Sequence, residues 1–272
     1  MKRYKILFFI PITALTLFTA CQKVVDINLN ASDPRLIIEA NLSDQPKSCI
    51  VTLSQSVNYN ESNTFPTVSG AIVTISDNVG NSTTLSEIRP GYYTDSLFAG
   101  VPGRTYTLSV TAAGKTYEAV SAMPQPVDID TLVQDSIPGG SFGFGSFTTR
   151  IFVSVLYHDP AGIVNFYRFV EIVNHKPANS ILVSDDELRD GSLLLRRIVR
   201  FDTTLVKGDS VTLELRSIDK PVFNYLDQLN EDIGGNFGNA SATPANPISN
   251  LSNGALGFFS AYAVKAKSLV VQ

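Results

Sequence analysis

The stretch Thr105-Tyr106-Thr107-Leu108-Ser109-Val110-Thr111, followed by Ala113-Gly114-Lys115 and then Thr116-Tyr117-Glu118-Ala119-Val120, decides the fold class. Tyr106, Leu108 and Val110 alternate with hydroxyl residues, so their side chains share one face of a strand. The Ala-Gly-Lys turn sends the chain back, and the pattern predicts a β-hairpin. The same texture extends N-terminally. Leu36-Ile37-Ile38-Glu39-Ala40, Cys49-Ile50-Val51-Thr52-Leu53 and Ala71-Ile72-Val73-Thr74-Ile75 read as strands. Turns are expected at Asp77-Asn78-Val79-Gly80-Asn81, Pro90-Gly91 and Pro102-Gly103, with Tyr92-Tyr93 in a strand between the last two. Short strands at this spacing predict an immunoglobulin-like β-sandwich over residues 34–123.

Beyond Pro124-Gln125-Pro126 the texture changes, and residues 124–272 are expected to form a second β-rich domain with one short helix. The fold class is therefore all-β. Ile151 to Tyr157, Phe166 to Val173, Leu193 to Phe201 and Val211 to Arg216 are the expected strands, with a last one starting near Leu256. Pro221 suits a first helical turn, and Val222, Tyr225, Leu226 and Leu229 recur at helical spacing before Gly234-Gly235. The Asn/Ser/Ala/Pro-rich stretch 234–254 is long for a structureless loop, which marks it as functional or surface-wrapping.

The N-terminus reads as an export signal. Lys2, Arg3 and Lys5 precede an apolar run from Ile6 to Phe18, and Thr19-Ala20 stand before Cys21. A charged start, a short apolar core and small residues at a junction make a secretory signal, and the run is short of the roughly 20 residues a membrane span needs. Cysteine at the junction points to lipoprotein maturation: residues 1–20 are removed, Cys21 is acylated with palmitate-type chains, and residues 21–33 form a tether. More than one acyl chain gives stable anchoring.

Removing residues 1–20 takes Lys2, Arg3 and Lys5 from the 21 basic residues, leaving 18 against 25 acidic ones and a formal charge near −7. That sign does not suit nucleic acid or an anionic membrane surface. With Cys21 lipidated, Cys49 has no partner for an internal disulfide, and alternation in its run places it on a buried face, as an inert thiol.

The opening Cys21-Gln22-Lys23 with Val25-Asp26-Ile27-Asn28-Leu29, then Leu36 to Ala40, Gly91-Tyr92-Tyr93 and Gly103-Arg104-Thr105-Tyr106-Thr107-Leu108, lead to a more specific stretch. This is Pro247-Ile248-Ser249-Asn250 with Gly254-Ala255-Leu256-Gly257-Phe258-Phe259-Ser260-Ala261-Tyr262. Together they resemble the Bacteroidota outer-membrane lipoprotein family catalogued as domain of unknown function 4249. The resemblance implies a sandwich-like first domain, attachment to the outer membrane, and association with TonB-dependent transporter systems; it supplies no catalytic residue. Gln22-Lys23-Val24-Val25-Asp26 lacks the acidic cluster that surface-exported lipoproteins of that phylum often carry, so periplasmic and cell-surface facing both stay open. A second resemblance, to the O-glycosylation pattern of that phylum, implies Ser96, Thr131, Ser136, Thr203 and Ser210 as candidate acceptors, each after an aspartate. The competing reading is that Asp-Ser and Asp-Thr are common turn formers.

Gly139-Gly140-Ser141-Phe142-Gly143 matches the nucleophile-elbow pattern, but the elbow needs a strand before the serine, a helix after it and a late histidine. Pro138 precedes it, and the histidines are His158 and His175. Neither has a ligand spacing suited to zinc. Asp185-Asp186-Glu187 with Asp190-Gly191 resembles a calcium loop, yet Arg197 stands where an EF-hand counted from Asp186 needs its twelfth-position carboxylate; no metal or cofactor is expected. Phe142, Phe144 and Phe147 suit a seam between the two halves better than an exposed stacking surface. The residues thus point to a non-enzymatic lipoprotein, and the resemblance implies that it is an accessory protein of a TonB-dependent nutrient transport system. The alternative is a direct glycan or peptide binder using the loops 138–147 and 234–254, which an aromatic-lined concave face would favour.

Overall fold

A computed structural model describes residues 33–58, 64–138, 149–198, 204–234 and 246–272. The first half contains β1 (Leu36–Ser43), β2 (Cys49–Gln55), β3 (Ile72–Asp77), β4 (Ser82–Thr84), β5 (Ser86–Arg89), β6 (Tyr92–Asp95), β7 (Thr105–Ala112) and β8 (Lys115–Ala122). The second contains β9 (Ile129–Ile137), β10 (Arg150–His158), β11 (Phe166–Val173), β12 (Lys176–Pro177), β13 (Leu182–Asp185), β14 (Leu193–Ile198) and β15 (Ser210–Ile218). Helix α1 (Lys220–Gly234) and β16 (Leu256–Val270) follow. The fold is all-β with a single short helix.

The hairpin that decides the class is β7–β8, in register from Thr105↔Ala122 to Ala112↔Lys115. Ala113 and Gly114 both take positive φ in its turn. Tyr106, Leu108 and Val110 are buried while the threonines and serine between them are half-exposed. This hairpin belongs to the sheet β4-β3-β7-β8, which faces β5-β6-β2-β1. Between them lie Ile38, Leu42, Val51, Leu53, Ile75 and Tyr93, together with Phe259, Ala261 and Ala263 from β16.

β16 ties the halves together. Its residues 256–262 pair in parallel with Ile37–Ser43 of β1, and its residues 263–270 pair antiparallel with Ser210–Ser217 of β15. The strand thereby joins β1, β2, β6 and β5 to β15, β11 and the short β12 and β13 in one nine-stranded sheet that crosses the boundary expected at residues 123/124. The second half closes when β14-β10-β9 packs on the β15–β11 end of that sheet around Val155, Tyr157, Tyr167, Phe169, Leu213 and Leu215.

The period of two along β16 sends Phe259, Ala261 and Ala263 inward. Phe258, Tyr262 and Val264 go to the other face, where α1 covers them with Val222, Tyr225 and Leu226. Asp219 starts the helix: its backbone carbonyl accepts the Phe223 N–H and its side chain the Val222 N–H, as an N-cap does. The same carboxylate accepts the Ser121 hydroxyl and the Ala122 N–H of β8, and burial pushes its pKa up.

The expected strand from Leu193 ends, as described, at Ile198, since residues 199–203 lie outside the described set. One strand without an expectation is β9, whose Asp130, Thr131, Val133 and Ser136 are exposed; its polar residues break the apolar run that would have marked it. The stretch 246–255 is a polar strap along the free edge of β8. The Asn250 side chain accepts the Phe259 N–H and donates to the carbonyls of Phe259 and Val120. Ser252 exchanges bonds with the Glu118 backbone, and Asn253 donates to the Thr116 carbonyl. These groups satisfy edge amides and carbonyls that would otherwise invite pairing with another chain.

Candidate functional site

Two loops of the second half bring several charged side chains together. Residues 159–165 leave β10 and enter β11; residues 186–192 connect β13 with β14. Pro160-Ala161-Gly162 and Asp190-Gly191 turn tightly, with positive φ at both glycines. A Cβ on Gly191 would meet the Ala161 Cβ at 2.8 Å, so the loops touch there only because that residue is glycine.

Three carboxylates meet at this contact. Ligand oxygens of Asp159, Asp186 and Asp190 all lie within 4.8 Å of one another, the first two buried and the third exposed. Asp159 accepts the Tyr167 hydroxyl and, at 3.1 Å, the Gly191 N–H. Asp186 accepts the Asn165 N–H at 2.8 Å, and Asp190 the Gly162 N–H at 2.7 Å. The Asp159 N–H closes the clasp on the Ser192 carbonyl at 3.0 Å. Burial first, and then the Asp159 carboxylate, push the Tyr167 hydroxyl far up, so it stays a donor. The oxygen-only donor set is of the kind that hard divalent cations take, although calcium uses 6–8 such ligands. As it stands the cluster pins two loops by hydrogen bonds to neutral donors.

Next to it opens a cleft of about 210 Å³ whose lining includes Tyr157, Asp185, Glu187, Arg189, Leu194 and Arg196. Burial pushes the Tyr157 hydroxyl up to about 12. The cleft is small beside ordinary ligand pockets of about 300–1,000 Å³, but it brings both charge signs together beside Tyr157 and Leu194.

The acids of the calcium-like stretch therefore separate. Asp186 and Asp190 join Asp159, while Asp185 and Glu187 line the cleft. Asp159 reads in sequence only as a strand end entering a turn; nothing in its spacing marks it as a partner of residues nearly thirty positions on. His158 pairs with Asp130 at 2.8 Å on the surface, and His175 sits at positive φ in the β11–β12 turn. The two histidines are not brought together. Ser141, Phe142, Phe144 and Phe147 lie outside the described residues, as do Cys21, Thr203, the signal segment 1–20 and most of the stretch 234–254.

Of the candidate acceptor hydroxyls, Ser96, Thr131 and Ser136 are exposed and Ser210 is half-buried at the start of β15. The aspartates before them work as turn and strand-end acceptors: Asp95 takes the Leu97 and Phe98 N–H groups, and Asp209 the Val206 N–H. Cys49 is buried in β2, and burial raises its thiol to about 12, which leaves it a poor nucleophile. Among the described residues no helix is long and apolar enough to cross a membrane.

The family model described as a domain of unknown function (DUF4249) matches residues 22–268. No curated protein matches the chain.

Proposed function

Because the chain belongs to the DUF4249 family, we propose that it is an outer-membrane lipoprotein anchored through Cys21 and acting without catalysis, as an accessory or binding subunit of a TonB-dependent nutrient transport system. The observation that carries this reading is the junction at Cys21. A basic start and an apolar run end in Thr19-Ala20-Cys21, and the family match opens at the next residue, Gln22.

The fold suits such an attachment. β1 begins beside Arg35, whose guanidinium donates to the Gly254 carbonyl just ahead of β16. From Leu256 the fifteen residues of β16 pair first with β1 and then with β15. At about 3.3 Å per residue the far ends of β15 and β16 stand roughly 45 Å from Leu256. In this reading the cleft and those far ends are the surfaces that meet a partner. A direct glycan- or peptide-binding role is the second reading, favoured by the cleft between Tyr157 and Arg196.

Replacing Cys21 with alanine tests the anchor. The wild-type protein is expected in the membrane fraction, with an intact mass raised by its acyl chains; Cys21→Ala is expected to lose both properties. A wild-type polypeptide of unmodified mass in the soluble fraction would end this reading.

A further inference from the structure

On the outer face of the nine-stranded sheet, the Arg168 guanidinium has no hydrogen-bond acceptor among the described residues. Arg168 of β11 and Arg216 of β15 are direct partners in the antiparallel ladder, so both side chains leave the same face about 5 Å apart at Cβ. Like charges placed this way oppose strand pairing. Arg216 is compensated: its Nε and Nη2 donate to Glu214 Oε2 at 2.9 and 2.6 Å, and its guanidinium lies 4.6 Å from the Tyr262 ring centre.

Arg168 is half-buried, and among the described residues its side chain makes no hydrogen bond and no ion pair. The acids that reach it through space are Glu214, already held by Arg216, and Glu39, exposed on β1 three strands away. Its neighbours across the ladder are otherwise apolar. Val183 of β13 is its other direct partner, Val264 lies beyond Arg216, and both belong with Phe166 and Tyr262 to the cluster under α1. Burial, then Arg216, draw the Arg168 pKa down to about 10, which still leaves it charged at neutral pH. Five N–H donors in a planar fork, unanswered on an apolar wall, match the two oxygens of a carboxylate.

We infer that Arg168, with Arg216 beside it, binds a carboxylate carried on an apolar body. A free aromatic or aliphatic acid and the C-terminus of a peptide both present that chemistry. The site does not depend on lipid at Cys21, so the two readings can fail separately.

The test uses the protein purified as expressed from its full sequence. Its thermal midpoint is followed at constant ionic strength against benzoate, benzamide, chloride and the tripeptide Ala-Ala-Phe with a free or amidated C-terminus. A saturable rise with benzoate or the free tripeptide, and none with benzamide, the amide or chloride, is expected. Benzoate acting alone identifies a free acid; a stronger effect of the free tripeptide identifies a peptide terminus. Arg168→Gln is expected to weaken the response about tenfold or more, the scale of a lost charge-assisted hydrogen bond. Without probe it should be as stable as wild type or more so, because it removes an uncompensated cation. Should that variant misfold, Arg168→Lys keeps the charge but not the fork, and a several-fold weakening is expected. No carboxylate-specific saturable response, or one unchanged by both substitutions, would overturn the inference.

Discussion

Gly257→Ala probes the seam on which the whole architecture depends. Gly257 sits opposite Ile38 in the parallel ladder between β16 and β1, with φ at 93°. A Cβ built there would lie 2.1 Å from the Ile38 carbonyl oxygen and 2.8 Å from its carbonyl carbon. Both atoms are backbone in a strand buried on its core side, so relief requires the strands to part by about 1 Å, enough to weaken two or three ladder hydrogen bonds at about 1 kcal/mol each. Left-handed backbone adds about 1–2 kcal/mol for a non-glycine residue. The sum, about 3–5 kcal/mol, is a large share of the 5–15 kcal/mol that ordinary domains possess. Gly80 supplies the control. Its φ is 95°, and nothing stands within 4 Å of its would-be Cβ, so Gly80→Ala should cost only the conformational part, about 1–2 kcal/mol. Urea unfolding followed by far-ultraviolet circular dichroism or tyrosine fluorescence measures both variants; the chain has no tryptophan and ten tyrosines. The reasoning is refuted if the two alanine variants unfold within about 0.5 kcal/mol of each other.

The other predictions concern single groups. Asn250→Asp should destabilise by about 2–4 kcal/mol, because a carboxylate would face the carbonyls of Phe259 and Val120 that now accept from the amide; the same urea titration checks it. Burial pushes the Asp77 carboxyl up, but hydrogen bonds from Asn81, Arg104 and Val79 outweigh it and hold it at about 2. Since the folded value lies below the unfolded one near 3.9, its contribution is present above about pH 4 and fades as the pH falls toward 2. Asp77→Asn should therefore flatten that part of the acid-unfolding curve relative to wild type. Cys49, with its thiol raised to about 12 in the core, should stay unmodified by a thiol reagent in native buffer and react once urea unfolds the chain; mass spectrometry of the Cys49 peptide reads this.

What the sequence made legible follows from short-range physics. Alternation in Thr105–Thr111 foretells β7 because a half-buried strand writes its burial into every second residue. Helical spacing from Val222 to Leu229 foretells α1 for the same reason. The join made by β16 was beyond reach. Its residues alternate like any strand, and nothing local tells that Leu256–Tyr262 will pair with β1, more than 200 positions earlier, while the remainder pairs with β15. The strap 246–255 looks like loop because its work is done by Asn and Ser side chains that substitute for a strand's backbone. The two-loop site divides in the same way: Asp186 and Asp190 stand out as a local acidic run, whereas Asp159 joins them only through the tertiary approach of two glycine turns.

The accessory-subunit account is tested most directly by purifying the tagged protein from native membranes in mild detergent and identifying what accompanies it in stoichiometric amount. The account predicts a large β-barrel transporter at a fixed ratio, retained by the wild type and reduced when Cys21 is replaced by alanine. Recovery of the membrane-anchored protein alone, at a protein concentration where transporter complexes survive the same detergent, would contradict it.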